Sequence, residues 1–291
     1  MSGLFSGSGF SGGIKISTLE FTQLKDIIYE LSGIFLNSNR KYLVENRFSG
    51  RILELNLKSF KEYIEYLKYD RNKAAELNKL ADLITTNETS FFRDNAQLKV
   101  FTNETLRKIV DEKRKSGKLD IKIWSAGCSS GEEPYTLSII IHEMLKAELS
   151  KWRIQITAND ISSDIIEKAK KGEYAKYAFK TTPSLITKKY FTETSPGVFQ
   201  VNADIKKLVR FAKINLNDRI ALKKIPKSDI VLCRNVIIYF DKEMKKKVVS
   251  AFYDNLIEGG HLYVGHSESL HTITNTFKAK HHEGAISYRK I

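Results

Sequence analysis

The run Ile230-Val231-Leu232-Cys233-Arg234-Asn235-Val236-Ile237-Ile238-Tyr239-Phe240 is an unbroken apolar stretch that ends in an arginine, an asparagine and a tyrosine. Its length and β-branched content suit a central strand of a parallel sheet, covered on both faces. In open α/β sheets, ligands sit at the carboxyl ends of such strands. Arg234, Asn235 and Tyr239 therefore stand where chemistry would take place. Taken alone, the same residues would also suit a capped turn after a core strand.

A second segment narrows the choice. Ile121-Lys-Ile-Trp124-Ser-Ala-Gly127-Cys128-Ser-Ser-Gly131-Glu132-Glu133-Pro134-Tyr135 reads as strand, glycine turn and helix, with the helix running on to Leu145. Two glycines let the backbone turn sharply and approach a ligand. Pro134 suits a first helical turn, where its missing N–H leaves no bond unmade. A phosphate cradle would not open its helix with Glu132 and Glu133, and no Gly-Lys-Ser/Thr is present. The acids suit a ligand carrying positive charge or hydroxyl groups. The next apolar strand, Ile154 to Ala158, ends in Asn159-Asp160 before a helical stretch from Ser162. An acid at the end of the second strand is how nucleoside-binding folds hold ribose hydroxyls. An Asx turn or helix cap explains that aspartate equally well on its own.

Five motifs then stand in order: Asn87-Glu-Thr89-Ser-Phe91-Phe92-Arg93, Trp124 to Tyr135, Ala158-Asn-Asp160-Ile, Cys233-Arg234-Asn235-Val-Ile-Ile-Tyr239-Phe240 and Gly265-His266-Ser-Glu268-Ser-Leu270. Together they resemble the bacterial chemotaxis receptor methyltransferases, the CheR family, from about Leu19 to the C-terminus. The resemblance implies an α/β fold of class I methyltransferase type, a doubly wound and mostly parallel sheet. It adds an N-terminal all-helical domain and a small inserted antiparallel β-subdomain. It implies S-adenosyl-L-methionine as cofactor, S-adenosyl-L-homocysteine as its product, and specific glutamates on chemoreceptor cytoplasmic helices as substrate. Their methyl esters would tune chemotactic adaptation.

Carried over position by position, the resemblance makes Arg93 and Tyr239 the catalytic pair. It places Asn87, Thr89, Arg93, Glu133, Asp160, Asn215, Leu216, Arg234 and Asn235 around the cofactor. Asp160 is assigned the ribose hydroxyls, and Asn215-Leu216 the rim of the adenine pocket. Arg93 would hold the methionine carboxylate or steer the incoming glutamate. Tyr239 would offer a hydroxyl and an aromatic edge beside the sulfonium. His266 and Glu268 read as structural members of their motif.

Composition agrees. A chain of 291 residues suits one large domain and a smaller one. No apolar run reaches the roughly eighteen residues of a membrane span. Two cysteines, Cys128 and Cys233, at separate strand ends build no metal site and suit reduced thiols in a cytoplasmic protein. The net charge of +14 asks for an acidic partner. Nucleic acid is one candidate, but no zinc-finger spacing or nucleic-acid signature accompanies the charge, and none is expected as partner. A glutamate-rich protein surface is the other, and a monomer without membrane insertion is expected.

Residues 1–16 read as a flexible Gly/Ser tail, without the basic start and apolar core of a signal peptide. Residues 17–85 read as the helical domain, with Val44, Phe48, Ile52 and Leu55 as a core stripe of its second helix. Arg40, Arg47 and Arg51 line one edge of that stripe. Such charges usually form a solvated face; the resemblance makes them the basic helix that meets the receptor's acidic methylation region. Residues 86–118 read as a linker and a helix from about Asn95 to Lys113, with Phe91-Phe92 in a loop folding over an apolar pocket. Residues 119–291 read as the cofactor-binding α/β domain, its insertion at about 172–213. Phe199–Val201 and Leu208–Phe211 read as strands of the insertion. Ile214–Leu216 ends the next main strand, Gly259-Gly260 is a turn, and Ala285–Arg289 is a final antiparallel strand.

A glutamate side chain, with an ordinary pKa of about 4.3, is already ionised at neutral pH, so methyl transfer to it needs no general base. The chain accordingly shows no Ser/His/Asp or Cys/His arrangement. Two other readings compete. An amino-methyltransferase of DNA or RNA is favoured by charge but disfavoured by the absence of proline at the Arg234–Tyr239 strand end. A non-catalytic cofactor-binding adaptor is disfavoured by the presence of both Arg93 and Tyr239.

Overall fold

The computed structural model describes residues 13–85 and 88–291. They form two compact units that divide after Ile84. Asn87 and most of the expected N-terminal tail lie outside the described residues.

The helical unit contains Thr18–Ser32, Lys41–Glu54, Phe60–Tyr69 and Lys73–Ile84. Ser17 caps the first helix: its side chain accepts from the Glu20 N–H, and the Glu20 carboxylate accepts from the Ser17 N–H. Gly33, at φ 75°, ends that helix in the left-handed conformation. Val44, Phe48 and Ile52 are fully buried, as their spacing predicts, while Leu55 falls one residue past the helix and is half-buried. They pack with Phe21, Leu24, Ile28, Phe60, Tyr63 and Leu80 into one apolar core.

The second unit is built on a seven-stranded sheet. Its chain contributes, in sequence order, β1 (Asp120–Ala126), β2 (Arg153–Asp160), β3 (Glu173–Ala175), β4 (Phe191–Ser195), β5 (Val198–Val201), β6 (Val209–Lys213), β7 (Ser228–Cys233), β8 (Leu256–Val264), β9 (Phe277–His282) and β10 (Ala285–Lys290). The main sheet runs β6-β2-β1-β7-β8-β10-β9, and β3-β5-β4 form a separate three-stranded antiparallel sheet. All main-sheet pairings are parallel except those of β10 with β8 and with β9. Strand order therefore reverses at β1: the chain leaves β1 toward β2 and β6, then returns to lay β7 on its other side. Beyond such a switch point the carboxyl ends open into a crevice. Every residue of β7 is buried, which is why Ile230–Cys233 is uniformly apolar, and the buried Asp229 at its start is paired with Lys113 Nζ at 2.6 Å.

Three expectations change. The strand read at Leu208–Phe211 belongs to the main sheet, as β6 beside β2, and the small sheet ends with β5 at Val201. β6 is an edge strand with one covered side, so its mixed polarity resembles that of a small exposed sheet. Gly259 and Gly260 lie inside β8, where the pairing with β7 shifts register, so they form an irregularity within a strand and not its start. The helix read from Asn95 to Lys113 is present, but its middle turn, Phe101–Leu106, is π-helical. No helix among the described residues is long and apolar enough to cross a membrane.

Candidate active site

The carboxyl ends of β1, β2 and β7 converge at the switch point, each with its own backbone device. After β1 the chain turns through Gly127 (φ 73°), Ser129 (φ 48°) and Gly131 (φ 94°) into the helix Glu132–Leu145. The N–H groups of Gly127 and Cys128 both donate to the Asn159 carbonyl, which closes the turn onto β2. A Cβ on Gly127 would lie 2.5 Å from Val236 Cγ2, so only glycine lets the turn meet the loop after β7.

Asp160 holds this turn in shape. Its Oδ2 accepts from the Ser129 N–H at 2.9 Å, and its Oδ1 accepts from the Ser162 N–H at 3.1 Å. Asn159 ties the second and third elements together: Trp124 Nε1 donates to its Oδ1 at 2.6 Å, and its Nδ2 donates to the Ile214 carbonyl at 2.9 Å. Asn215 follows directly and forms an Asx turn, its Oδ1 accepting from the Asn217 N–H at 2.9 Å. Leu216 is buried beside it.

Arg234, at the tip of β7, is the hub of the site. Its side chain is only 5% exposed. Nη1 donates to Glu133 Oε2 at 3.1 Å, Nη2 donates to the backbone carbonyl of Arg93 at 2.6 Å, and Asp94 Oδ2 lies 3.8 Å away. Glu133 takes its second bond from Ser125 Oγ at 2.7 Å. One guanidinium thus links the strand tip, the first turn of the helix and the loop that carries Arg93. Charge-assisted bonds in so dry a place are strong and directional.

The Arg93 loop is seated by its neighbours. Phe91 is fully buried, stacked on Phe179 (centroids 5.1 Å apart) and edge-on to Tyr174 and Phe191, which is the apolar pocket expected under the Phe-Phe pair. The Phe92 N–H donates to Thr136 Oγ1 at 3.1 Å. Phe92 and Asp94 both adopt positive φ, and Asp94 caps the helix from Asn95 through the Gln97 N–H. Arg93 Nη1 donates to the Glu88 carbonyl at 2.7 Å.

The residues singled out in the sequence therefore fall into two groups. Glu133, Asp160 and Arg234 are largely occupied in bonding one another's elements. Thr89, Asn235 and Tyr239 are half-buried at the crevice, and no side-chain hydrogen bond holds them among the described residues. Asn87 lies outside the described residues, and Arg40, Arg47 and Arg51 belong to the helical unit. There, Arg47 Nη1 donates to the carbonyls of Leu83 and Ile84, and Arg51 forms a bidentate pair with Glu76. Arg40 is exposed at the start of its helix, its side chain without a hydrogen bond among the described residues.

Both cysteines are buried and disfavoured as nucleophiles. Burial pushes both thiols well above their ordinary range, aided by Asp160 and Glu133 at Cys128 and by Glu268 and Glu133 at Cys233. Burial also raises Glu132 to about 7, against the bond from Ser130 that favours its ionised form. Sequence reading passed over Ser125, Asp94 and Val236. Only Asp94 left a local trace, as a helix cap before Asn95. A small strand-end serine or a turn valine carries no signal until a partner distant in sequence arrives.

The site's chemistry fits S-adenosylmethionine: the carboxylates of Glu133 and Asp160 flank a glycine turn, and the turn carries no Gly-Lys-Ser/Thr phosphate cradle. Comparisons agree. The family described as "CheR methyltransferase, SAM binding domain" matches residues 87–286, and "CheR methyltransferase, all-alpha domain" matches residues 19–85. The chain is similar to chemotaxis protein methyltransferase 2 of Vibrio cholerae, 36% identical over 95% of this chain and 94% of that protein. It is similar also to the chemotaxis protein methyltransferase of Borreliella burgdorferi, 35% identical over 90% of this chain and 92% of that one. Among solved structures, magnesium protoporphyrin IX methyltransferase from Synechocystis PCC 6803 is 15% identical, with a TM-score of 0.31 over 78% of this chain and 94% of that one. That last likeness is too loose to bear on the argument. With an all-α domain, a SAM-binding domain and relatives of matching length, the chain belongs to the CheR methyltransferase family and is an S-adenosylmethionine-dependent methyltransferase.

Proposed function

We propose that this enzyme methylates specific glutamate side chains on the cytoplasmic helices of chemoreceptors, acting as a cytoplasmic monomer. The observation that carries this reading is the contrast between the bound and the free polar groups of the crevice. Arg234, Glu133 and Asp160 stiffen its walls, while the Tyr239 hydroxyl makes no hydrogen bond among the described residues and the Arg93 guanidinium is tied only to a loop carbonyl, that of Glu88, and not to an acid. S-adenosylmethionine supplies a methyl group on a positively charged sulfur. Asp160 would take the ribose hydroxyls, and Asn215-Leu216 would rim the adenine. Thr89, Glu133, Arg234 and Asn235 complete the polar wall, with Asn87 assigned to the same shell.

An acceptor glutamate arrives ionised, so no residue here has to remove a proton from it. The chain's work is alignment and exclusion of water. Arg93 is suited to steer the incoming carboxylate or to hold the cofactor's own, and Tyr239 to fix the approach from the β7 side. A tight clamp on the acceptor would slow transfer, because its charge is consumed as the bond forms. Tyrosine and one flexible arginine meet that requirement better than a fixed ion pair.

On the helical unit, the receptor-facing role of Arg40, Arg47 and Arg51 narrows toward Arg40. Arg47 and Arg51 already have partners inside the unit, whereas Arg40 is exposed and free to meet an acidic surface. Incubation with methyl-labelled S-adenosylmethionine and receptor cytoplasmic fragments should give base-labile label on protein. Label that resists base, or that enters oligonucleotides and not receptor, would replace this reading with amine methylation. No transfer to either would favour the adaptor.

A further inference from the structure

Glu268 lies between β8 and β9, buried and far in sequence from the tip of β7. Its carboxylate nevertheless accepts three backbone N–H groups. Oε2 takes those of Asn235 at 2.8 Å and Gly265 at 2.5 Å, and Oε1 takes that of Ile238 at 3.0 Å. Its own N–H donates to the Gly265 carbonyl at 2.9 Å, which folds Gly265-His266-Ser267-Glu268 into a tight turn. That turn works only with glycine at its head. A Cβ on Gly265 would sit 2.7 Å from Glu268 Oε2 and 2.8 Å from the Asn235 nitrogen.

The loop that receives these bonds needs them. Asn235 is left-handed at φ 59° and lies beyond Cys233, the last paired residue of β7, so its N–H has no strand partner. Ile238 lies in the single 3₁₀ turn Ile237–Tyr239, whose leading N–H groups have no helical acceptor. An N–H shielded from water and left without an acceptor is unfavourable. Tyr239 is the last residue of this turn. Ile237 two residues before it and Phe240 after it are buried while Ile238 is exposed, and the tyrosine's own N–H donates to the Val236 carbonyl at 3.1 Å. The direction of the tyrosine side chain therefore follows the course of Asn235 to Ile238, which Glu268 grips at both ends.

We propose that Glu268 is a positioning residue for methyl transfer, acting through the backbone of Asn235 and Ile238 to aim Tyr239, without itself meeting substrate or cofactor. This rests on the assignment of Tyr239 made under the proposed function. The test is a double-mutant cycle of Glu268→Ala and Tyr239→Phe in the full chain. Methyl transfer to receptor fragments, product affinity by calorimetry and thermal melting are measured for each variant.

Misplacement of a reacting group by about 1 Å is worth on the order of a hundredfold in rate. Glu268→Ala should therefore lower kcat by roughly that factor, with a smaller change in affinity for S-adenosylhomocysteine. In the Tyr239→Phe background the same change should cost under about threefold, because the group it aims is already gone. Losses that multiply across the cycle would overturn the proposal, as would a loss confined to cofactor affinity. Glu268→Gln, which keeps the size and one acceptor, serves if the alanine variant does not fold. If neither folds, the residue holds the fold and the proposal falls. Wild-type transfer is measured first, so its absence would point to the functional assignment and not to Glu268. Full activity of Tyr239→Phe would remove the tyrosine assignment and this proposal together.

Discussion

Two arginine–glutamate pairs, one in each unit, use the same chemistry in opposite senses. In the helical unit the acid is inside: Glu76 is 2% exposed and Arg51, at 24%, reaches it from the rim. Glu76 also accepts from Tyr63 at 2.8 Å, so both its oxygens are engaged, and the neighbouring acids hold Arg51 firmly charged. In the α/β unit the base is inside: Arg234 is 5% exposed and Glu133, at 14%, lies nearer the crevice. The first pair fastens three helices to one another. The second fastens three strand and loop ends around a space left for a ligand. A buried ion pair is weak evidence for stability in itself, and its worth depends on which charge would be stranded by its loss.

The helical pair gives the largest expected effect. Arg51→Ala strands a deeply buried carboxylate and should destabilise that unit by about 3–5 kcal/mol. Glu76→Ala leaves an arginine with solvent and Glu54 in reach and should cost less, by denaturant titration. The reverse order would break the comparison.

Glu132 extends it to an acid that has no arginine. Its folded pKa of about 7 lies above the ordinary 4.5, so the native state holds the proton more tightly than the unfolded chain. Its contribution is complete below about pH 4.5 and is lost as pH rises through 7, by at most about 3 kcal/mol. Glu132→Gln should remove that slope, and melts of both proteins at pH 5 and pH 8 read it directly. Parallel curves would show that Glu132 keeps its ordinary acidity.

Arg234→Lys tests whether the fork matters beyond the charge. Lysine cannot bond Glu133 and the Arg93 carbonyl in the same fixed geometry. We expect about a tenfold loss of methyl transfer, equivalent to about 1.4 kcal/mol. Unchanged turnover would reduce the hub to a point charge. The smallest effect concerns Gly50, on the exposed face of the Arg51 helix, where an added Cβ meets nothing within 4 Å. Gly50→Ala should stabilise the helical unit by about 0.5–1 kcal/mol in the same titration, leaving methylation untouched.

Legibility followed burial. β7 was readable because both its faces are covered, and the Val44–Phe48–Ile52 stripe because one helix face meets one core. β6 was misplaced because an edge strand shows only half of that pattern. β9 left too little apolar periodicity to be seen, with four of its six residues exposed. Around the crevice, Asp160, Arg234 and Tyr239 were legible at or just past strand ends and Glu133 at the start of the helix after the glycine turn, while Arg93 was legible only through its motif. Their division into fixed wall and free rim was not. Glu268 shows why: its three partners are backbone N–H groups, which have no residue identity to read.

Sequence alone determined most of the strands and helices, the glycine turn, the two-part organisation and the family. Each follows from periodicities and motifs that neighbouring residues enforce on one another. Only the tertiary structure decided which charged side chain is buried and which stays free. It also decided that Glu268 grips a loop some thirty residues away and that Val236 closes on Gly127. Burial and hydrogen-bond satisfaction are set by what the rest of the chain brings into contact, and a local pattern contains no record of that.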